Sequence, residues 1–192
     1  MPQDLSAIAW PVRTDRLTIR PCEPGDHEAT WRLRSSPGVG EWLTQAHDDR
    51  EEYDQRFRNP DRMAMILVVE KDGEVVGDAM LVIEDAWAQA ELADRATGVQ
   101  AEIGWIIDPA HAGQGYATEA AATLVRLCFE DLRLRRVVAV TFAENIRSWQ
   151  LMERLGMRRE QHGVRDSLHR SHGWQDTLRY ALLADEWRAR QP

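Results

Sequence analysis

The sequence predicts a mixed α/β fold of the α+β kind, in a single domain covering residues 1–192. Three observations lead to this prediction. The length of 192 residues is sufficient for one well-buried domain and marginal for two. The content of 43% hydrophobic and 29% charged residues is typical of a soluble globular chain. Short strand-like patterns alternate with helical patterns, and this order packs helices onto a mixed sheet.

The first strand is predicted at Leu17–Arg20, where apolar and polar residues alternate until Pro21. The segments Pro24–Arg34 and Glu51–Phe57 have helical character. Between them, Ser36–Asp49 contains glycine and proline without a clear period, so we expect a loop with a functional role there.

A hairpin is predicted next. The two apolar runs Met63–Glu70 and Val75–Ile83 flank the turn sequence Lys71–Glu74, which is typical of paired antiparallel strands. Residues 84–100 are polar and rich in alanine, and we expect an exposed connection. A further strand is predicted at Glu102–Ile107, before Asp108 and Pro109.

The clearest helix is predicted at Tyr116–Glu130. Its small and apolar residues recur at helical spacing and share one face: Ala117, Ala120, Ala121, Leu124 and Cys128. On that face Cys128 is expected to be a core thiol.

The last third begins with a buried strand predicted at Val137–Phe142. The helix predicted at Ile146–Leu155 is stopped by a glycine. Met157–Arg165 and Trp174–Leu183 are predicted to form a final strand pair around a loop that carries histidine and glycine.

Composition excludes some function classes. Lys71 is the only lysine among the 24 basic residues, and Asp72 follows it, so a P-loop nucleotide site is absent. A net charge of -8 argues against a nucleic-acid partner and favours a cationic one. The longest apolar run, Met63–Val69, is too short for a membrane span. No secretory signal is visible, and two distant cysteines suit a reducing cytoplasm.

The segment from Glu102 to Ala120 is the most informative. A predicted strand leads through glycines directly into the long helix, whose first N–H groups lack intrahelical partners. Those groups and the helix dipole favour a phosphate, and Gly113 and Gly115 would let it approach the backbone. A dinucleotide site would need a third glycine where Thr118 stands, so that interpretation is weak. A plain glycine turn is the other alternative.

The segment Ala112–Ala117 resembles motif A of the GNAT N-acetyltransferases, with Ala112 where the family's pattern has Gln or Arg. Four segments, in order, are similar to the RimJ/RimL-like branch, which acetylates the N-termini of ribosomal proteins: Thr14–Pro21, Gly115–Ala120, Asn145–Ser148 and Leu151–Gly156. The resemblance implies a mostly antiparallel sheet of about seven strands, with helices on both faces and a V-shaped opening between two central strands.

The resemblance also implies acetyl-CoA as co-substrate and no metal. The pantetheine arm would pair with the backbone of Trp105, Ile106 and Ile107, and Asn145 would hydrogen-bond that arm. The pyrophosphate would lie on the motif A segment and the residue after it: Ala112, Gly113, Gln114, Gly115, Tyr116, Ala117 and Thr118.

Two residues are candidates for catalysis in this resemblance. Ser148 would protonate the departing thiolate, and Glu102 would act as a base toward the amine. An α-amino group of pKa about 8 needs about 1.4 kcal/mol to be neutral at pH 7, against about 4.6 for a lysine side chain, so a weak base suffices. Asn145 and Ser148 also suit a helix N-cap and first turn, and Glu102 a strand end.

The expected function is therefore acetyl transfer to a primary amine, first of all the α-amine of a protein such as a ribosomal protein. Acetylation of an aminoglycoside or polyamine is the alternative, and a non-catalytic acyl-CoA-binding module is a third hypothesis. A homodimer is compatible with the sequence; no nucleic acid or membrane partner is expected. His111 borders the phosphate segment, His162, His169 and His172 are expected at the surface, and Trp42 and Trp174 are expected in loops bordering the acceptor site.

Overall fold

The computed structural model describes residues 4–190. Across these residues the chain forms eight strands: β1 Val12–Arg13, β2 Thr18–Pro21, β3 Ile66–Lys71, β4 Glu74–Glu84, β5 Gln100–Ile107, β6 Arg136–Phe142, β7 Arg158–His169 and β8 Gly173–Leu183. The α-helices of the same stretch are α1 His27–Ser35, α2 Arg50–Phe57, α3 Pro60–Met63, α4 Tyr116–Glu130, α5 Ile146–Arg154 and α6 Ala184–Arg188. The chain divides into two compact units. The first unit comprises residues up to 82 and 104–124, and the second comprises 83–103 and those from 125 onward.

In the first unit, strands β1 to β3 and most of β4 pair in chain order, each antiparallel to the next. Ile19 of β2 lies opposite Val69 of β3, and Val69 in turn lies opposite Gly77 of β4. Ile19, Leu67 and Val69 are completely buried. Alternate residues of a strand share one face, and the residues on the buried face of these strands form the core of this unit.

In the second unit, the start of β5 runs parallel to β6, with Gln100 opposite Arg136 and Glu102 opposite Val138. β6 is antiparallel to β8, which is antiparallel to β7. The ladders are mixed and mostly antiparallel, so the predicted fold class is confirmed.

Helix α4 has the bounds that its apolar period predicts. Ala120, Ala121, Leu124 and Cys128 have no exposed surface, while Ala117 is partly exposed. Burial raises the pKa of the Cys128 thiol to about 12, which makes it an inert core residue as expected. No helix within the described residues is both long and apolar enough to cross a membrane.

Short elements account for several differences from the predicted fold. The prediction of about seven strands did not include β1, because two residues are too few to show a period in the sequence. Helices α3 and α6, of four and five residues, were missed for the same reason. Met63 ends α3, so its assignment to a strand is wrong: Asn59 caps this short helix by accepting bonds from the Asp61 and Arg62 amides.

The final strand pair is longer than predicted. Residues 166–169 belong to β7, and the ladder absorbs irregularities between Gly163 and Ser167, which hid the alternation in the sequence. Trp174 lies in β8 and not in a loop. His169 is buried, with 4% of its surface exposed, so its placement at the surface is wrong. Its ring packs edge-on against Phe142.

Candidate active site

A glycine loop precedes helix α4 in the first unit. The chain leaves β5, makes a 3₁₀ turn at Pro109–His111, and then passes through Gly113 and Gly115 with φ angles of +76° and +84°. Residues with a Cβ rarely adopt these angles, so the loop's course depends on both glycines. Residues 112–115 are exposed, which leaves their backbone accessible to a ligand.

Six consecutive backbone amides at this place have no acceptor within the described residues. Within residues 4–190, the N–H groups of Gly113 through Thr118 have no hydrogen-bond partner, and the Glu119 amide is the next to bond, to the Gly115 oxygen at 3.0 Å. We call these six N–H groups the amide row. The Ala112 amide donates to the Pro109 oxygen at 3.2 Å and is therefore not part of it. A row of unpaired amides at the N-terminus of a 15-residue helix is suited to a phosphate group.

An ion pair supports the loop from the β2 side. The Arg16 Nε donates to Glu119 Oε2 at 2.7 Å, and Arg16 Nη1 donates to the Gln114 carbonyl oxygen at 2.8 Å. Thr14 Oγ1 and the Arg16 amide donate to the other carboxylate oxygen of Glu119. Burial acts to raise the pKa of Glu119, but the hydrogen bonds from Thr14 and Arg16 to its carboxylate outweigh burial and lower the pKa. The sequence indicates Arg16 only as part of the opening segment and does not reveal this ion pair, because 103 residues separate Arg16 from Glu119.

The end of β5 is held close to β4 within the first unit. A side chain at Gly77 would collide with the Ile106 carbonyl oxygen and lie 2.7 Å from Ile107 Cδ1. The Asp108 amide donates to the Val76 oxygen at 2.9 Å. Trp105, Ile106 and Ile107 are each partly exposed. Gly77 therefore fixes the backbone at which the pantetheine arm is expected.

Glu102 lies near the start of β5 in the second unit, opposite Val138. It is half-buried, and its carboxylate has no hydrogen-bond partner in the part of the chain that the structure describes. Burial raises its pKa, repulsion from Glu84 adds to the shift, and Arg179 partly opposes it. A carboxylate with a raised pKa and no partner is a stronger base than an exposed one.

Asn145 and Ser148 lie at the start of α5, as predicted. Asn145 is the N-cap residue, but its side chain makes no capping bond. Its backbone oxygen accepts from the Ser148 amide at 3.1 Å and from the Trp149 amide at 3.4 Å. The Ser148 hydroxyl has no partner among residues 4–190 either. Both polar side chains are therefore available to a ligand.

The histidines have other surroundings. His111 Nδ1 is buried without a hydrogen-bond partner in the described chain, next to the glycine loop. His162 Nε2 lies 2.7 Å from Asp176 Oδ2. Within residues 4–190, no group of three or more His, Cys, Asp and Glu side chains could hold a metal ion. Trp174 is 60% exposed beside Arg165.

Comparison with known proteins identifies the family. Residues 16–158 match the model of the acetyltransferase (GNAT) domain, which is most of the chain. The chain belongs to the GNAT acetyltransferase family. It is an N-acetyltransferase of a family that uses acetyl-CoA. The match includes the glycine loop, the amide row, Glu102, Asn145 and Ser148.

Relatives of this GNAT protein extend over nearly its whole length. The uncharacterized N-acetyltransferase YnaD of Bacillus subtilis (strain 168) is 28% identical over 92% of this chain and 98% of its own. A solved GNAT acetyltransferase from Bacillus anthracis is 29% identical, with a TM-score of 0.75, covering 91% of this chain and 99% of that one.

Two further solved structures share the GNAT fold. Mycobacterium smegmatis RimJ in complex with CoA-disulfide is 24% identical, with a TM-score of 0.72, over 92% of this chain and 90% of that one. Spermidine N-acetyltransferase from Vibrio cholerae, in complex with CoA and spermine, is 20% identical, with a TM-score of 0.73, over 91% of this chain and 99% of that one.

Proposed function

We propose that this GNAT enzyme acetylates the N-terminal α-amine of a protein, such as a ribosomal protein, as a member of the RimJ/RimL-like branch. The ordered match of four sequence segments to that branch supports the proposal, and the similar fold of RimJ agrees with it. The amide row is the single observation that carries the acetyl-CoA part, because it offers six donors to a pyrophosphate.

The cofactor-binding roles follow from the availability of these groups. The pyrophosphate accepts hydrogen bonds from the amides of Gly113, Gln114, Gly115, Tyr116, Ala117 and Thr118. Ala112 contributes the turn that leads into the loop. The pantetheine arm pairs with the backbone of Trp105, Ile106 and Ile107, and the Asn145 side chain, which is not used for capping, hydrogen-bonds the same arm.

Transfer needs a base and an acid. Glu102 accepts a proton as the amine nitrogen attacks the carbonyl carbon of the thioester. The tetrahedral intermediate then collapses with cleavage of the C–S bond, and the thiolate receives a proton at sulfur through Ser148, giving CoA and the acetylated amine. A serine hydroxyl is a weak acid, so Ser148 acts by relaying a proton that it regains from solvent.

The energetics of the amine favour an α-amine as acceptor. The step requires a neutral nitrogen, and at pH 7 an α-amine needs about 3 kcal/mol less than a lysine side chain to lose its proton. One partly buried carboxylate is sufficient for such a substrate. The proposed reaction therefore requires Glu102 as a base and no second carboxylate beside it.

A small cationic amine is the second candidate. The net charge of -8 favours a cation, and the spermidine acetyltransferase of Vibrio cholerae has a similar fold. We further propose that the chain acts as one domain in the cytoplasm, where its two buried thiols, Cys22 and Cys128, stay reduced.

The acceptor is tested by release of CoA from acetyl-CoA. The purified protein is incubated with peptides that have free N-termini, including ribosomal ones, with the same peptides blocked at the N-terminus, and with spermidine and an aminoglycoside. Release only with free N-termini supports the α-amine. Release only with spermidine or the aminoglycoside assigns the enzyme to small amines and overturns the proposal.

A further inference from the structure

A small cavity in the first unit is lined by cationic and aromatic side chains. Its walls come from the end of α1, from α2 and α3, and from the loop before α2; the polar lining residues are Arg34, His47, Arg56 and Arg62, and Tyr53 and Phe57 form its aromatic wall. The cavity measures about 10 Å³, which is room for one water-sized atom or group.

Two of the three arginines are neutralised by carboxylates. Arg34 makes a bidentate ion pair with Asp78, at 2.7 and 3.0 Å, and both side chains are largely buried. Arg56 donates to Glu52 at 3.0 Å and to the Gln45 amide oxygen. Each of these cations is therefore matched by one anion.

Arg62 is different. In the described part of the chain its guanidinium makes no ion pair and no hydrogen bond, although it lies near two other guanidinium groups. Partial burial and repulsion from Arg34 and Arg56 lower its pKa, but an arginine remains charged at any physiological pH. The cavity thus carries one uncompensated positive charge.

His47 supplies a second unused polar group. Its ring is 6% exposed and stands edge-on to Tyr53 at 5.3 Å, and within residues 4–190 its nitrogens have no hydrogen-bond partner. Burial and the charges of Arg34, Arg62 and Arg56 lower its pKa to about 4, with Asp48 opposing them. The imidazole is neutral at pH 7 and carries one N–H donor. The Tyr53 hydroxyl is already used, since it donates to Thr30 Oγ1 at 2.7 Å.

We propose that this cavity binds one monovalent anion between the Arg62 guanidinium and the His47 imidazole. Within the described chain, the Arg62 guanidinium is the one positive charge of the cavity without an anionic partner, so a monovalent anion balances it. The cavity volume admits a halide ion or one oxygen of a carboxylate. Bound there, the anion accepts charge-assisted hydrogen bonds from two side chains that have no hydrogen-bond partner within residues 4–190. This site is separate from the amide row and does not depend on the identity of the acceptor amine.

The test is the broadening of the chloride-35 NMR line of sodium chloride by the protein. Wild-type protein is compared with Arg62→Gln and with Arg58→Gln, an exposed arginine at the end of α2 that does not line the cavity. We expect excess broadening with wild type and Arg58→Gln, and an affinity about tenfold lower or worse with Arg62→Gln. His47→Phe, which replaces the imidazole by an aromatic ring without an N–H donor, should also weaken binding.

Competition with sodium acetate distinguishes a halide from a carboxylate as the bound anion. If acetate restores a narrow line with wild type, the site also takes a carboxylate; if acetate has no effect, it takes the halide alone, and both results support the proposal. Equal broadening by all four proteins, with circular dichroism showing each folded, would assign chloride to surface arginines and overturn it. No excess broadening by the wild type would overturn it as well.

Discussion

Arg16 and Glu119 form an ion pair in which the guanidinium Nη2 lies 2.6 Å from Oε2 of the carboxylate. The same guanidinium donates to the carbonyl oxygen of Gln114, so the pair links the start of α4 to the turn of the glycine loop. Glu119 is mostly shielded, while Arg16 is nearly half exposed at the loop. This pair fixes the orientation of the amide row before any ligand arrives, which reduces the ordering required on binding.

The first prediction concerns this pair. Arg16→Gln removes the bond to the Gln114 oxygen and leaves the Glu119 carboxylate without its cation, so the loop loses its support. We expect KM for acetyl-CoA to rise about tenfold with little change in kcat, because the loss affects binding and not chemistry. Steady-state kinetics with a saturating acceptor measure both constants.

Arg13→Gln is the matched control, since Arg13 is exposed in β1 and has no ion-pair partner in residues 4–190. It should leave both constants unchanged. If Arg16→Gln behaves like this control, the support of the loop by Arg16 is refuted.

The second prediction concerns Gly115. Its φ of +84° is unfavourable for alanine, and a Cβ there would lie 3.3 Å from Arg16 Nη2. Gly115→Ala should therefore reduce the free energy of unfolding by about 1 kcal/mol and weaken acetyl-CoA binding. Gly25→Ala serves as the control, because nothing lies within 4 Å of a Cβ at Gly25 and its φ is not positive. Urea unfolding and calorimetric titration give the two quantities; unchanged acetyl-CoA affinity in a folded Gly115→Ala variant would contradict the role of the loop.

The third prediction is a pH dependence that arises from Glu102. Its pKa is raised in the folded protein, mainly by burial, so the folded state holds this proton more tightly than the unfolded state. The resulting stability is complete below the unfolded pKa and is lost as the pH rises through the folded pKa. Glu102→Gln should thus be more stable than wild type at pH 7.5 and equally stable near pH 4, as measured by urea unfolding.

Ionisation of Glu102 should also affect the pH dependence of the reaction rate. If Glu102 is the base, kcat/KM for the acceptor rises with pH through the ionisation of Glu102, and this limb is missing in Glu102→Gln. Glu84→Gln removes a neighbouring repulsion and should move the limb to lower pH. A pH–rate profile that is the same in all three proteins would exclude Glu102 as the base.

The fourth prediction concerns Ser148. Ser148→Ala should lower kcat on the order of a hundredfold, because the thiolate then departs without a proton donor, while the affinity for acetyl-CoA stays nearly intact. Ser148→Thr keeps the hydroxyl and should recover part of the rate. Full activity of Ser148→Ala would remove this residue from the mechanism.

Elements governed by local pattern were predictable from the sequence. The bounds of α4 followed from its apolar period, and the amide row followed from glycines placed before that helix. The helix N-terminus at Asn145 was also predicted, although its unused side chain could not be. Local sequence contains such information because helix periodicity and termini depend on residues only a few positions apart.

Features that depend on distant residues were not predictable. The Arg16–Glu119 pair joins the beginning of the chain to α4, and the charge state of the cavity depends on Asp78 pairing with Arg34 and not with Arg62. The spacing of neighbouring residues contains no information about these pairs. In the sequence alone, a charged residue that forms such a pair cannot be distinguished from one on a solvated surface. His169 was misplaced for the same reason, because its burial depends on how β7 packs.

Calorimetric titration of the wild-type protein with CoA and with pantetheine tests whether the amide row holds the pyrophosphate of acetyl-CoA. Pantetheine keeps the thiol and the arm and lacks every phosphate. We predict that CoA binds at least about a hundredfold more tightly than pantetheine, as expected for loss of charge-assisted bonds to several amides. Equal affinities for the two ligands would contradict a pyrophosphate site at the amide row.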